Sequence, residues 1–197
     1  MNKPVLDIIA VTYGQTDILK CFINSIKSQN NNNWRLFLIH DGKNDELRLD
    51  LENNGYLTGN VIFVEYPERT NYYGHILRKW ALENLVTNEY VLITNGDNYY
   101  VPIMVDEVLG KNEDFIYFDL VHSHENISNH NKSSYGHMKT VLSISNIDMG
   151  CVVVRSKIAK SVGFNSTGYA ADWDYFNKIL EQNPSIVKID KILFVHN

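Results

Sequence analysis

The chain has 197 residues, is 44% hydrophobic and carries a formal net charge of −5, which suits one α/β domain with a real core. That acidic balance argues against a nucleic-acid binder, which would usually show a basic face. No apolar run approaches the length needed to cross a bilayer.

In chain order, Leu6 to Tyr13 reads as a buried first strand ending at Gly14, and Ile18, Leu19, Phe22, Ile23 and Ile26 then recur at helical spacing. Asn30 to Asn33 is a polar loop, and Trp34 to Ile39 is a second strand that ends at His40-Asp41-Gly42. A polar helix is expected from Asp45 to about Asn53, followed by a turn at Asn53-Asn54-Gly55. Val61 to Val64 is a short third strand. After Asn71-Tyr72-Tyr73-Gly74, a helix from about His75 to Asn84 carries Ile76, Leu77, Trp80 and Ala81 on one face. Tyr90 to Thr94 is a fourth strand, Pro102 to Leu109 a helix, and Phe115 to Phe118 a further strand. Strands alternating with helices imply βαβ units and a largely parallel sheet.

The second half is less regular. His122 to His137 is rich in Ser, Asn and His without periodicity, and reads as a long loop of the kind that is usually functional or mobile. It holds His122, His124, His130 and His137, so a metal site and a plain polar loop both stand as readings. Met149 to Val154 reads as a strand, Ser156 to Val162 as a helix, Ala170 to Gln182 as a helix that opens on Asp172-Trp173-Asp174, and Ile186 to Val195 as the last strand before His196. Cys21 and Cys151 lie in apolar-patterned segments and read as buried free thiols of a reducing compartment. Residues 1–20 lack a basic start, an apolar core and a cleavage site, so no signal peptide is expected.

In open α/β sheets, ligands bind at the carboxyl ends of the strands. Three such ends are expected to converge: Thr12-Tyr13, His40-Asp41-Gly42 and Asn95-Gly96-Asp97. A flat nucleobase could rest on Tyr13. Asp41 could accept from a base or ribose, and Asp97 could hold a hard divalent cation against a diphosphate. Taken singly, Tyr13 is also readable as a rim aromatic, Asp41 as a turn residue and Asp97 as an Asx-type turn. Arg78 and Lys79 could add positive charge for a leaving diphosphate, or could face solvent. An incoming hydroxyl needs a general base. Asp172 and Asp174, two apart at a helix start, point different ways, so one could face the cleft while the other caps the helix. A dinucleotide fingerprint, a P-loop and a nucleophile elbow are all absent from the sequence.

Thr12-Tyr13, His40-Asp41-Gly42, Asn95-Gly96-Asp97 with Pro102, and Ala171-Asp172-Trp173-Asp174 resemble, in order and spacing, the motifs of family 2 glycosyltransferases. The resemblance covers nearly the whole chain, with Glu89-Tyr90-Val91 and Val162-Gly163-Phe164 as lesser parts of it. It implies a GT-A fold: a Rossmann-like, three-layer α/β sandwich with a mostly parallel central sheet. It implies one domain over residues 1–197, with a nucleotide-sugar half at 1–100 and an acceptor and catalytic half at 101–197. The activity implied is transfer of a sugar, with inversion, from a UDP-linked donor to a hydroxyl of a carbohydrate or other acceptor, in glycan assembly. Carried over, Asp41 would contact the uracil, and Thr12 and Tyr13 would line the base pocket. Asp97 would bind Mn²⁺ or Mg²⁺, Asp172 would be the base, and His196 would touch metal or diphosphate. A cytoplasmic protein, peripheral to a membrane where glycans are assembled, is the expected setting.

The chain departs from the pattern in three places. His40-Asp41 stands for a pair of acids, Asn95 for the first acid of D-x-D, and Ala171 for the acid before Asp172. The alternatives are a non-catalytic nucleotide-sugar or glycan-binding domain and a sugar nucleotidyltransferase. The latter would normally carry a basic, glycine-rich loop after the first strand, where this chain has Gly14-Gln15-Thr16-Asp17.

Overall fold

In a computed structural model, residues 5–14, 16–124, 134–166, 168 and 170–197 are described. Four strands, β1 (Leu6–Thr12), β2 (Trp34–His40), β3 (Val61–Glu65) and β4 (Tyr90–Asn95), alternate with α1 (Thr16–Lys27), α2 (Asp45–Asn53) and α3 (His75–Asn84). Then follow β5 (Tyr99–Tyr100), α4 (Met104–Leu109), β6 (Phe115–His124), β7 (Ser134–Met138), a 3₁₀ turn at Met149–Cys151, β8 (Val152–Arg155), α5 (Ser156–Val162), α6 (Ala171–Leu180) and β9 (Ile186–His196).

Among the described residues the strands form one sheet in the order β3-β2-β1-β4-β8-β6-β9-β5, with β7 on β6. β3, β2, β1 and β4 are parallel neighbours, β8 runs against β4 and β6, and β9 runs parallel to β6. The fold is thus mixed α/β with a mostly parallel sheet. Every residue of β1 is buried, as is β4 from Tyr90 to Thr94. A parallel strand covered on both faces has no wet side, which is why these segments are continuous apolar runs.

Parallel packing aligns the strand ends. Thr12 pairs with His40, and Val11 pairs with Asn95. The first bonds past the strands extend that order: Asp41 N–H donates to Thr12 C=O (3.1 Å) and Gly96 N–H to Val11 C=O (2.9 Å). A Cβ on Gly96 would stand 2.8 Å from Leu19 Cδ1 and 3.1 Å from Thr12 Cβ, so the Asn95–Asp97 turn lies close against β1 and α1.

The structure corrects four expectations. The stretch from His122 to His137 is not wholly irregular: β6 runs on to His124 and pairs antiparallel with β7. Residues 125–133, with His130, lie outside the described set. Met149–Cys151 is a 3₁₀ turn rather than strand, because Asp148 caps it by accepting from Gly150 N–H (2.7 Å). Helix α4 begins at Met104, two residues after Pro102. Cys21 is exposed, since the buried stripe of α1 is Leu19, Phe22, Ile23 and Ile26; Cys151 is buried as expected.

At the other end of the sheet, Asp7 is fully buried in β1. It accepts from Thr87 N–H (2.9 Å), Asn88 N–H (2.9 Å) and Asn88 Nδ2 (2.8 Å), and pairs with Arg35 (3.1 Å). This one carboxylate closes the α3–β4 connection, which sets the register of β4. Asp7→Ala removes the buried acceptor of several part-buried donors and is expected to cost about 2 kcal/mol in urea unfolding, with the denaturant slope unchanged.

Candidate functional site

Two adjoining clefts open beyond the carboxyl ends of the parallel strands. The first, of about 390 Å³, is lined by Val11, Thr12, Tyr13, Asp41, Arg69, Asn71, Tyr73, Gly74, Leu77, Asn95, Gly96 and Asp97. The second, of about 550 Å³, holds Arg78, Asp148, Asp172, Trp173 and His196, with His75, His122, Met138, Ile144 and Ile147 among its walls. Tyr73 and Asn95 line both. Five residues singled out from the sequence (Thr12, Tyr13, Asp41, Asn95 and Asp97) therefore share the first cleft, and Arg78, Asp172 and His196 the second.

In the first cleft, Tyr13 is half-exposed; the Arg69 guanidinium lies 3.9 Å from its ring centroid and the His40 ring centroid lies 5.8 Å away. A flat ligand would meet a ring already held in place. Asp41 is turned toward the β3–α3 loop. Its Oδ1 accepts from Thr70 N–H (2.7 Å) and Thr70 Oγ1 (3.0 Å), and its Oδ2 from Asn71 N–H (3.2 Å). Asp41 thus shapes this wall, and Oδ2, with one of its two lone-pair sites used, keeps capacity for a ligand.

That loop enters α3 through left-handed backbone at Asn71 (φ 56°), Tyr73 (φ 50°) and Gly74 (φ 74°). At Gly74 a Cβ would also press on Val11 Cγ2 at 2.8 Å. The close approach of α3 to β1 brings Arg78 inside. This residue does not face solvent: it is 5% exposed. It donates to the Tyr73 carbonyl (2.6 Å) and to Asn95 Oδ1, and its Nη1 lies 3.1 Å from His75 Nδ1. Lys79, the alternative, points away and bonds Asn165 (2.9 Å).

The carboxylates of Asp172, Asp148 and Asp97 all act on Arg78, and they support its charge against burial, which lowers its pKa. Burial, reinforced by Asp148, pushes Asp172 up to about 6, while Arg78 and the Met149 N–H (3.3 Å) pull the other way. Burial also raises Asp97. Asp174 points outward and accepts from Ser166 (2.7 Å), so the two acids of α6 point different ways as their spacing predicts, although neither makes a side-chain cap of the helix. Asp148 carries no sequence signal of its own. It enters because the 3₁₀ turn aims it at the cleft, with Oδ2 3.5 Å from His196 Nε2. His196 in turn stacks on His122 at 4.5 Å.

The turn that carries Asp97 is braced from below. Thr94 Oγ1 accepts from Asn98 Nδ2 (3.0 Å) and bonds the Tyr100 hydroxyl (2.8 Å), which also meets Gly150 C=O (2.9 Å). Asp97 Oδ1 and His196 Nδ1 are buried without hydrogen-bond partners in the protein. Among the described residues no group of three or more His, Cys, Asp or Glu side chains is arranged to hold a metal. Asp97 and His196 are the residues here that could hold a hard cation shared with substrate phosphates, which needs only one or two protein ligands.

The fold is similar to that of glycosyltransferase structures. The Staphylococcus aureus TarS structure of residues 1–349 superposes with a TM-score of 0.74 at 15% identity, covering 98% of this chain and 60% of that one. TarS 1–349 in complex with UDP-GlcNAc gives 0.72 at 14%, over 97% and 58%. The mannosyltransferase PcManGT from Pyrobaculum calidifontis, in complex with GDP-Man and Mn²⁺, gives 0.70 at 17%, over 99% and 57%. This chain thus spans 60% or less of each of these structures. No protein-family model matches the sequence, and no curated protein is similar to it in sequence. Among the described residues no helix is long and apolar enough to cross a membrane.

The raised pKa of Asp172 makes its charge a cost to the fold. Between the ordinary value of 3.8 and about 6 the folded chain holds a proton that the unfolded chain releases, so stability falls as pH rises through that window. Asp172→Asn is expected to gain about 2–3 kcal/mol near pH 7.5. The gain should vanish below about pH 4, as read by urea unfolding at both pH values.

Proposed function

We propose that this chain is an inverting glycosyltransferase that moves a sugar from a nucleotide-sugar, UDP-linked, to an acceptor hydroxyl. One observation carries the reading: the cleft at the strand ends and a cleft with a raised-pKa carboxylate meet at the same pair of residues, Asn95 and Tyr73. A sugar held at that junction would have the diphosphate on the Asp97 side and an acceptor on the Asp172 side. The likeness in fold to transferases bound to UDP-GlcNAc and GDP-Man supports it.

In this mechanism the base and ribose lie along Thr12, Tyr13 and Asp41. Asp172 takes the proton of the acceptor hydroxyl, whose oxygen attacks the anomeric carbon from the face opposite the nucleotide. The bond from that carbon to the diphosphate oxygen breaks, and the nucleoside diphosphate leaves with the electron pair. Arg78, fixed by Asn95 and Tyr73 where the two clefts meet, would hold positive charge toward the leaving diphosphate. Asp97 and His196 would hold Mn²⁺ or Mg²⁺, which supplies Lewis-acid neutralisation of the leaving group. A pKa near 6 leaves Asp172 mostly ionised at neutral pH, yet basic enough to accept a proton as attack proceeds. The donor half would be residues 1–100 and the acceptor half 101–197, in a three-layer arrangement with helices on both faces of the sheet.

The amide at Asn95, already engaged by Arg78, favours a second reading, a nucleotide-sugar-binding domain without turnover. One experiment separates the two. Thermal unfolding is measured with UDP-, GDP-, CMP- and dTDP-sugars, with and without MnCl₂, and release of the nucleoside diphosphate is followed for whichever donor stabilises the fold. The transferase reading expects metal-stimulated release that Asp172→Asn lowers by about 10²-fold or more, and donor stabilisation that Asp97→Ala weakens. Stabilisation without release, or release indifferent to Asp172→Asn, would retire it in favour of the binding domain.

A further inference from the structure

We infer that His75 is a positioning residue for the donor diphosphate: a neutral imidazole whose Nδ1 lone pair holds Arg78 in place without cancelling its charge. The inference rests on the transferase reading for the word diphosphate, and on the contacts of Arg78 for the rest.

The partners of Arg78 differ in kind from those of the paired arginines. Arg35 meets Asp7 (3.1 Å), Arg48 meets Glu65, and Arg155 meets both Glu89 and Asp114 (2.9 Å to the latter). A carboxylate in contact neutralises each of those charges. Arg78 is buried, yet the groups that touch it are all uncharged: the Tyr73 carbonyl (2.6 Å), Asn95 Oδ1 and His75 Nδ1 (3.1 Å). Asp97, Asp148 and Asp172 act on it through their charge alone. Neutral acceptors fix where a guanidinium sits and leave its field for an anion.

The contact also decides the proton on His75. A guanidinium only donates, so a hydrogen bond from Arg78 needs a lone pair on Nδ1, and the ring is then the uncharged Nε2–H tautomer. His75 and Arg78 stand three apart in α3, a spacing that makes side chains neighbours. His75 is 6% exposed, and burial and the Arg78 charge both lower its pKa. The positive end of the α3 dipole works the same way. Among the described residues Arg78 is the charge that acts on this ring. Phe164, after α5, packs on it at 5.4 Å between ring centroids, and Tyr73 lies at 6.0 Å. Asp148, Asp172, His122 and His196 line the same cleft. The Gly168 backbone, before α6, favours a proton on the ring, but Nε2 completes no hydrogen bond within the protein.

This seat leaves donors for a ligand. Nη1 is used on Tyr73 and His75, and Nη2 on Asn95. Nε–H has no partner, and Nη2 keeps its second proton. Phosphate oxygens accept from such arginine N–H pairs. Acid undoes the seat: a protonated His75 has no lone pair for Arg78 and repels it.

The test begins with long-range ¹H–¹⁵N NMR of the full chain, His75→Asn assigning the His75 signals. At about pH 7.5 the Nε2–H tautomer is expected, titrating below the ordinary imidazole value. An Nδ1–H tautomer or a charged ring at that pH would overturn the inference. Calorimetric titration with UDP-GlcNAc and with GDP-Man follows. His75→Phe keeps a ring against Phe164 but offers no lone pair, and is expected to weaken the donor that binds by about tenfold. His75→Asn offers an amide oxygen in place of Nδ1 and should stay within about threefold of the natural chain. If His75→Phe does not fold, His75→Leu replaces it. The ratio of the natural chain's affinity to that of His75→Asn should fall as pH drops from about 7.5 to about 5, because only the imidazole titrates there. Undiminished affinity in His75→Phe, equal loss in His75→Asn, or a constant ratio would show that packing alone explains His75 and would overturn the inference. If neither donor binds, the transferase reading falls, and the Arg78 Nε–H signal decides. Its faster exchange in His75→Phe than in His75→Asn would support the hold on Arg78; equal exchange would end it.

Discussion

A single buried guanidinium organises this protein's working end. Arg78 has lost nearly all its water, and a cation in that position persists only if carboxylates and carbonyls replace the lost hydration. The Tyr73 carbonyl, the Asn95 amide and the field of Asp97, Asp148 and Asp172 do so. The dependence is mutual. Three acids drawn from the β4 end, the 3₁₀ turn and α6 could not share one region without a positive charge among them. Removing the guanidinium would leave buried like charges facing one another, a change of about 3–5 kcal/mol in comparable buried pairs.

The rest of the site follows from bringing that cation inside. α3 must approach β1 closely, and Gly74 permits this where any side chain would strike Val11. The loop before α3 must then turn through left-handed backbone at Asn71 and Tyr73, and Asp41 ties it down from the end of β2. Stability is given up at two places for this arrangement: the strained Tyr73 and the buried Asp172, whose charge the fold resists. Both lie in the same cleft. Sites that must bind or react commonly hold such local costs, with the surrounding core supplying the margin. Here that core is the doubly covered β1 and β4, together with the Asp7 closure at the far end of the sheet.

Asn95 looks different once its neighbour is known. As a letter in the sequence it is an acid replaced by an amide, which weakens a cation site. In the structure its carbonyl oxygen receives the Arg78 guanidinium. An amide there accepts that hydrogen bond without adding a fourth negative charge to a region that already holds three. The same residue therefore links the two clefts while leaving Asp97 Oδ1 as the unpartnered oxygen.

Much of this was legible in the chain itself. Apolar runs at Leu6–Thr12, Trp34–Ile39 and Tyr90–Thr94 determined the parallel strands, because a strand buried on both faces can carry little else. Their ends placed Thr12, Tyr13, Asp41, Asn95 and Asp97 together, since parallel strands in register must deliver their carboxyl ends to one edge. Helical spacing alone sets Asp172 and Asp174 on different faces of α6. Other features depend on contacts between residues far apart in sequence, and no local pattern records those. Asp148 became part of the site only through a 3₁₀ turn that looked like strand. β7 appeared only through pairing with β6, because an exposed polar strand has no hydrophobic alternation to betray it. Arg78 read equally well as a solvated cation until the approach of α3 to β1 buried it, and Tyr73 read as a loop residue until its backbone proved to be held against its own preference. The sequence by itself determined which strands form and what their ends carry, because burial and helical period are local properties. Tertiary structure alone decided which charges face one another, because that depends on where separate elements come to rest.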